Sequence, residues 1–189
     1  MAESMIDRLY ADHQALTQYL SQQTEPSFVG MVDDDFRKLL ALSVASLFEH
    51  TITDAILKFC EIKAAGDSGL YCLVRMKAVE RQYATYFDWN GKTANTFFKL
   101  FGDTLGISMK NEVKNNSQLK AGCDAFLELG YVRNCLVHQN FASFAFEKTA
   151  EEVYEEYKLA LKFVEYVVAR LCEQNRHESK AATNRPSEA

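Results

Sequence analysis

Residues Gln118 to Asn140 constrain the fold more than any other stretch. Phe126, Leu127, Leu129, Val132, Leu136 and Val137 make the part up to His138 read as one apolar helix. Into that helix the sequence sets a permanent cation, an amide and an imidazole: Arg133, Asn134 and His138. Arg and Asn are seldom fully buried unless paired. The three must therefore face solvent, a polar partner or a cleft.

Asn134 and His138 are four residues apart and share one helix face, with Gly130 and Tyr131 the next positions up that face. A glycine inside a helix costs about 1 kcal/mol relative to alanine. At Gly130 the missing side chain is expected to let a second helix approach beside Asn134. Arg133 and His138 are five residues apart, about 140° around an ideal helix. They do not share a face. A swinging Arg side chain, a bend near the helix end, or two copies of the helix would bring them to one cleft.

A second long helix is expected over Asp33 to Lys63, with Asp33, Asp34 and Asp35 as cap and acidic first turn. Its apolar face reads Leu42, Ala45, Ile52, Ile56 and Phe59, and Glu49 falls on that face. A lone carboxylate there is costly unless paired. Arg133 is the expected partner; otherwise Glu49 lies at the edge of the face and reaches solvent. His50 is read as a surface or boundary residue.

Arg133-Asn134-x-x-x-His138 resembles the Arg-x(4–6)-His signature of the HEPN superfamily, and Phe97-Phe98-Lys99-Leu100-Phe101-Gly102 resembles a region upstream of that signature in the RiboL-PSP-HEPN branch. The resemblance runs from about Asp34 to Cys172. It implies an all-α, HEPN-like bundle with a four-helix core plus additional short helices. It also implies a metal-independent endoribonuclease of toxin–antitoxin or anti-phage systems, with an RNA substrate and no cofactor. Arg133 and His138 would be catalytic, with Asn134 and Glu49 in support. A homodimer through the Arg133–His138 helix would form one composite cleft. An antitoxin or other regulatory protein would restrain such an enzyme.

The chemistry fits those residue types. Attack by the neighbouring 2′-OH places the nucleophile inside the substrate, so the protein need only move protons and hold charge. A histidine is the side chain that ordinarily titrates near neutrality. The planar guanidinium of Arg133 can hold the phosphorane charge. Asn134 can orient His138 or donate to a phosphate, and Glu49 would position Arg133. Two rivals stand beside this reading: a catalytically idle HEPN-type module that dimerises or binds a partner protein, and a helical domain that binds RNA without cutting it.

Other features bound the reading. Only two prolines and eight glycines among 189 residues favour long helices. Residues 1–175 are expected to be one helical domain, and 176–189 a polar, disordered tail. The net charge of −5 argues against a broad nucleic-acid-coating surface but leaves room for a small basic site. The polar, acidic start lacks a signal-peptide pattern, and no membrane-spanning run is evident, so a cytoplasmic location is expected. The five scattered cysteines, Cys60, Cys72, Cys123, Cys135 and Cys172, read as free and mostly buried. No metal-ligand cluster or phosphate-binding glycine loop is present in the sequence.

The remaining segments are read as a first helix over Ala2–Gln22 with His13 at the core edge, and a loop over Gln23–Val32. A third helix spans Gly69–Phe87, with Arg75, Lys77 and Arg81 on a solvated face. Thr93–Phe101 is apolar, with Trp89, Phe97, Phe98 and Phe101 read as core rather than as a base-stacking platform. A short helix spans Asp103–Val113. Lys110–Ser117 is an exposed loop whose Lys110 and Lys114 suit RNA but need no such role. Phe141, Phe144 and Phe146 are expected to fold back on the bundle, and a last helix covers Thr149–Gln174.

Overall fold

The computed structural model describes residues 4–23, 26–91, 93–139, 141 and 144–172. The expected polar tail, 176–189, lies outside them. Among the described residues there are eight α-helices, one π-helical turn and no strand. Four long helices make the core: α1 (Met5–Gln22), α2 (Pro26–Ala64), α7 (Ser117–His138) and α8 (Ala150–Cys172). The most extensive contacts run from α8 to α7 and α2, and from α2 to α1. The fold is the expected all-α bundle with a four-helix core. Between α2 and α7 come α3 (Ser68–Val74), the π-helical turn Arg75–Val79, α4 (Tyr83–Tyr86), α5 (Asn95–Lys99) and α6 (Gly102–Asn115).

Helix α1 starts on a capping box. Ser4 Oγ accepts from the Asp7 amide at 3.0 Å, and the Asp7 carboxylate accepts from the Ser4 amide at 2.9 Å. Tyr154 on α8 donates to the same carboxylate at 2.9 Å, and Tyr157 donates to Ser4 Oγ at 2.9 Å. Helix α1 is thereby tied to α8 through its cap. These bonds, the Ser4 backbone donor foremost, hold the Asp7 carboxyl below its ordinary range.

Helix α2 corrects the sequence reading. It begins at Pro26, within the segment read as a loop, and runs 39 residues, about 58 Å. Proline is tolerated in a first helical turn, where the amide it lacks would have no intrahelical partner. The three aspartates read as a helix start therefore lie inside a helix. Asp34 is offset by Arg37 and by Lys38 Nζ at 3.3 Å. Asp33 faces His13 Nε2 at 3.2 Å. His13 is buried and stacks on Phe36 at a ring distance of 3.7 Å.

Other boundaries also differ. The single third helix is broken: after α3 the backbone widens into the π turn, and Arg81 takes a positive φ of 62°. The loop expected over Lys110–Ser117 is helical to Asn115. Asn116 then caps α7, its side-chain oxygen accepting from the Gln118 and Leu119 amides at 3.0 and 3.1 Å. Phe146 is buried and Phe144 packs against the core, whereas Phe141 is 40% exposed. Cys123 and Cys135 are buried, Cys60 and Cys172 are half-buried, and Cys72 is exposed, so fewer thiols are buried than expected. Burial pushes the Cys123 thiol up to about 11.

By length and composition alone, Ser27–Ala64 is apolar enough to cross a bilayer, with a mean hydropathy of 1.3, where the sequence reading expected no such run. Its Leu40, Val44, Phe48 and Ile52 are buried in the bundle.

Two predictions follow from these contacts. Gly122 on α7 lies where a Cβ would come within 2.7 Å of the Leu159 carbonyl oxygen on α8. Gly122→Ala gains helix propensity but forces two backbones apart, so a net loss of about 1–3 kcal/mol is expected by urea denaturation. Asp7→Asn should lower the melting temperature at pH 7. Because the folded carboxyl sits below its unfolded value, its contribution is present at neutral pH and is lost as pH falls through that lowered value. The difference between Asp7→Asn and wild type should accordingly shrink in acid, as melting curves across that range would show.

Candidate active site

Helix α7 buries one side against α8 and α2 through Phe126, Leu129, Val132 and Leu136. Arg133 and Asn134 fall at the margin of that buried side, and both are half-buried. Arg133 Nη1 donates to Asn134 Oδ1 at 3.1 Å. Arg133 Nη2 lies 3.5 Å from Glu49 Oε2 on α2. The partner expected for Glu49 is thus the one it faces. The separation is long for a hydrogen bond, and both side chains keep 30–40% of their surface in solvent. Such a pair contributes about 0–1 kcal/mol to stability. Its consequence is orientation and partial neutralisation of the guanidinium rather than fold stability.

A narrow pocket opens beside this pair. Its walls are Phe48, Tyr83, Trp89, Gly130, Arg133 and Asn134. Gly130 has a different use from the one expected. A Cβ there would lie 1.9 Å from Cζ3 of Trp89, so the indole, not a second helix, occupies the space. Trp89 is fixed from its other edge, its Nε1–H donating to the Ala84 carbonyl at 3.0 Å. It packs against Phe87 and Phe126 at ring distances of 5.0 and 5.9 Å.

Tyr83 is a site residue that the sequence reading did not single out. Burial raises its phenol far above the ordinary value; the Glu49 charge adds to this and Arg133 opposes it. The phenol therefore stays protonated and available as a donor. No sequence signal pointed to it, because it lies about 50 residues from the Arg-Asn-x-x-x-His motif on a separate element.

His138 stands apart. It is the last residue of α7, exposed, and has no hydrogen bond to Glu49, Arg133 or Asn134. One chain brings together Glu49, Arg133 and Asn134 and leaves the imidazole on the next turn. His50, also exposed, sits 3.3 Å from Asp54 rather than lining the pocket. Trp89, Phe97, Phe98 and Phe101 pack in or against the core, as expected for that cluster.

The motif residues, the Phe-rich segment and the helical core coincide with one family model, RiboL-PSP-HEPN, which matches residues 7–173. The chain belongs to the RiboL-PSP-HEPN family. No curated protein and no solved structure matches it at a significant level. The match covers all four core helices almost completely. Glu49 and Arg133 therefore face each other across two core helices of a HEPN domain.

The chain has one tryptophan, and it seals the pocket floor against Gly130. Gly130→Ala must displace the indole toward water. A red-shifted tryptophan emission and a stability loss of about 1–3 kcal/mol are expected, read from fluorescence-detected unfolding. Unchanged emission would mean that the ring does not rest there.

Proposed function

We propose that this HEPN protein is a metal-independent endoribonuclease. Arg133 and His138 are its catalytic groups, supported by Asn134 and Glu49. The observation that carries the reading is the half-buried Glu49–Arg133–Asn134 constellation at the mouth of a pocket, one helical turn before an exposed His138. Membership in a HEPN family supports an RNA-related role.

In the proposed reaction the substrate 2′-OH attacks the adjacent phosphorus, the P–O5′ bond breaks, and a 2′,3′-cyclic phosphate and a 5′-hydroxyl result. His138 exchanges protons with the attacking or leaving oxygen. Arg133 holds the charge that builds on the non-bridging oxygens, and Asn134 donates to the same phosphate. Glu49 keeps the guanidinium in place between turnovers.

His138 lies off the face that carries the Glu49–Arg133 pair, which favours a site completed by a second copy. In the proposed homodimer two α7 helices meet, and the imidazole of one chain serves the guanidinium of the other. The same separation favours the rival reading, an idle HEPN module that dimerises or binds a partner protein. An active enzyme of this kind fits a bacterial toxin or anti-phage role in the cytoplasm, held in check by an antitoxin or other regulatory protein.

Cleavage of a mixed RNA panel in EDTA tests the proposal. Wild type should cut, and folded His138→Ala and Arg133→Ala should each lose about 100-fold or more in rate. Mixing the two inactive variants should restore part of the activity if the site is shared between chains. Stable dimers with intact RNA would favour the idle module.

A further inference from the structure

Four surface depressions are linked in series by shared lining residues. The Arg133 pocket shares Trp89 with a polar depression beside Tyr131. That depression shares Lys120 with a third, set between α5, α6 and α7. The third shares Lys110 with a fourth along α6. The path changes character with distance from Arg133. It is aromatic first, at Trp89 and Tyr131, and basic after that, at Lys120, Lys114, Lys110 and Lys99.

The charges along this path are sorted. Asp124 is occupied by Lys120 at 2.5 Å, and Glu128 by Lys148 at 3.1 Å. Glu112 on α6 turns toward α8, where it meets Arg170 at 3.1 Å and Tyr166 at 3.0 Å. Asp103 remains as the acid beside the far end. Lys99, Lys110 and Lys114 are exposed and, among the described residues, have no carboxylate partner. Arg37, Lys38, Lys58, Arg75, Lys148 and Arg170 are paired, and Lys77 and Arg81, on the middle segment, are other cations without a carboxylate partner among the described residues. A chain of net charge −5 keeps three uncompensated lysines, Lys99, Lys110 and Lys114, on two adjoining depressions.

We propose that this groove is a binding track for a single strand of RNA that enters the Arg133 site. The inference rests on the ribonuclease reading of that site and adds where the rest of the substrate lies. Bases of an unpaired strand stack on exposed aromatic rings, and phosphates are drawn to unpaired cations. Tyr131, 43% exposed beside Trp89, supplies the ring surface. The lysines of α5 and α6 supply the cations. Arg133 and Lys120 lie about 20 Å apart along the axis of α7 and about 140° apart around it, so the track passes from one face of the helix to another over Trp89 before the lysine row begins. A duplex would present its bases to one another instead of to Tyr131, so the track suits unpaired RNA.

The test is fluorescence anisotropy on the His138→Ala background, which keeps the RNA intact. Labelled single strands of about 16 and about 4 nucleotides serve as probes. The triple variant Lys99→Gln/Lys110→Gln/Lys114→Gln, checked for an unchanged melting curve, should bind the longer strand about tenfold more weakly at low salt. The slope of log K against log salt should fall by about 2. Binding of the shorter strand should be unchanged. Equal affinity of parent and triple variant for the longer strand overturns the track, whatever the cleavage assay gives, and so does a parent that binds neither strand. Loss of long-strand binding in a protein that cuts no RNA leaves the track standing as a binding surface and removes the ribonuclease reading alone.

Discussion

The ring of Phe126 on α7 sits where α2, α8 and the segment between α2 and α7 meet. It touches Phe48 of α2 at 5.8 Å, Phe163 of α8 at 5.3 Å, and Phe87 and Trp89 of the middle segment at 4.9 and 5.9 Å. Aromatic pairs at these distances add about 0.5–1.5 kcal/mol beyond the area they bury. Phe126 therefore fixes more than core volume. It sets the height of α2 and α8 relative to α7, and it gives Trp89 a wall to lean on. Arg133 lies two turns further along the same helix, and Glu49 is the residue after Phe48. The spacing between the two charged groups is inherited from this apolar hub.

That inheritance explains how a weak ion pair can define a site. The Glu49–Arg133 pair is long and half-solvated, so it cannot organise the helices itself. The core places the two side chains, and the pair only chooses the direction of the guanidinium. Tyr83 and Trp89 enclose it from a segment that has little helix of its own. This division leaves the direction of the guanidinium with little bearing on the stability of the fold.

Long periodic segments were readable from sequence because their burial is local and repetitive. Helices α7 and α8 begin and end close to where the 3-4 pattern and polar flanks put them. The Arg133–Glu49 facing was readable too, because a carboxylate on an apolar face asks for a cation. The start of α2 was not. Pro26 and Gly30 look like loop residues, and the three aspartates look like a cap, until His13, Arg37 and Lys38 supply partners that spacing alone does not reveal. The use of Gly130 was misread for a related reason. A glycine announces a close approach, but what approaches is a side chain about 40 residues away. The break between α3 and α4 likewise turns on a π turn and a positive-φ residue that no periodicity marks.

The order of elements along the chain has a consequence for synthesis. Helices α2 and α7 carry Glu49 and Arg133, yet both lay their largest buried faces against α8, which follows them in sequence. Even the cap of α1 is completed by Tyr154 and Tyr157 of α8. A ribosome adds about 5–20 residues per second. Until residues 150–172 emerge, the faces of α2 and α7 that pack on α8 lack that cover, although α1, α6 and the α2–α7 contact cover part of the rest. Of the four core helices, the last to be made is the one against which both halves of the candidate site pack.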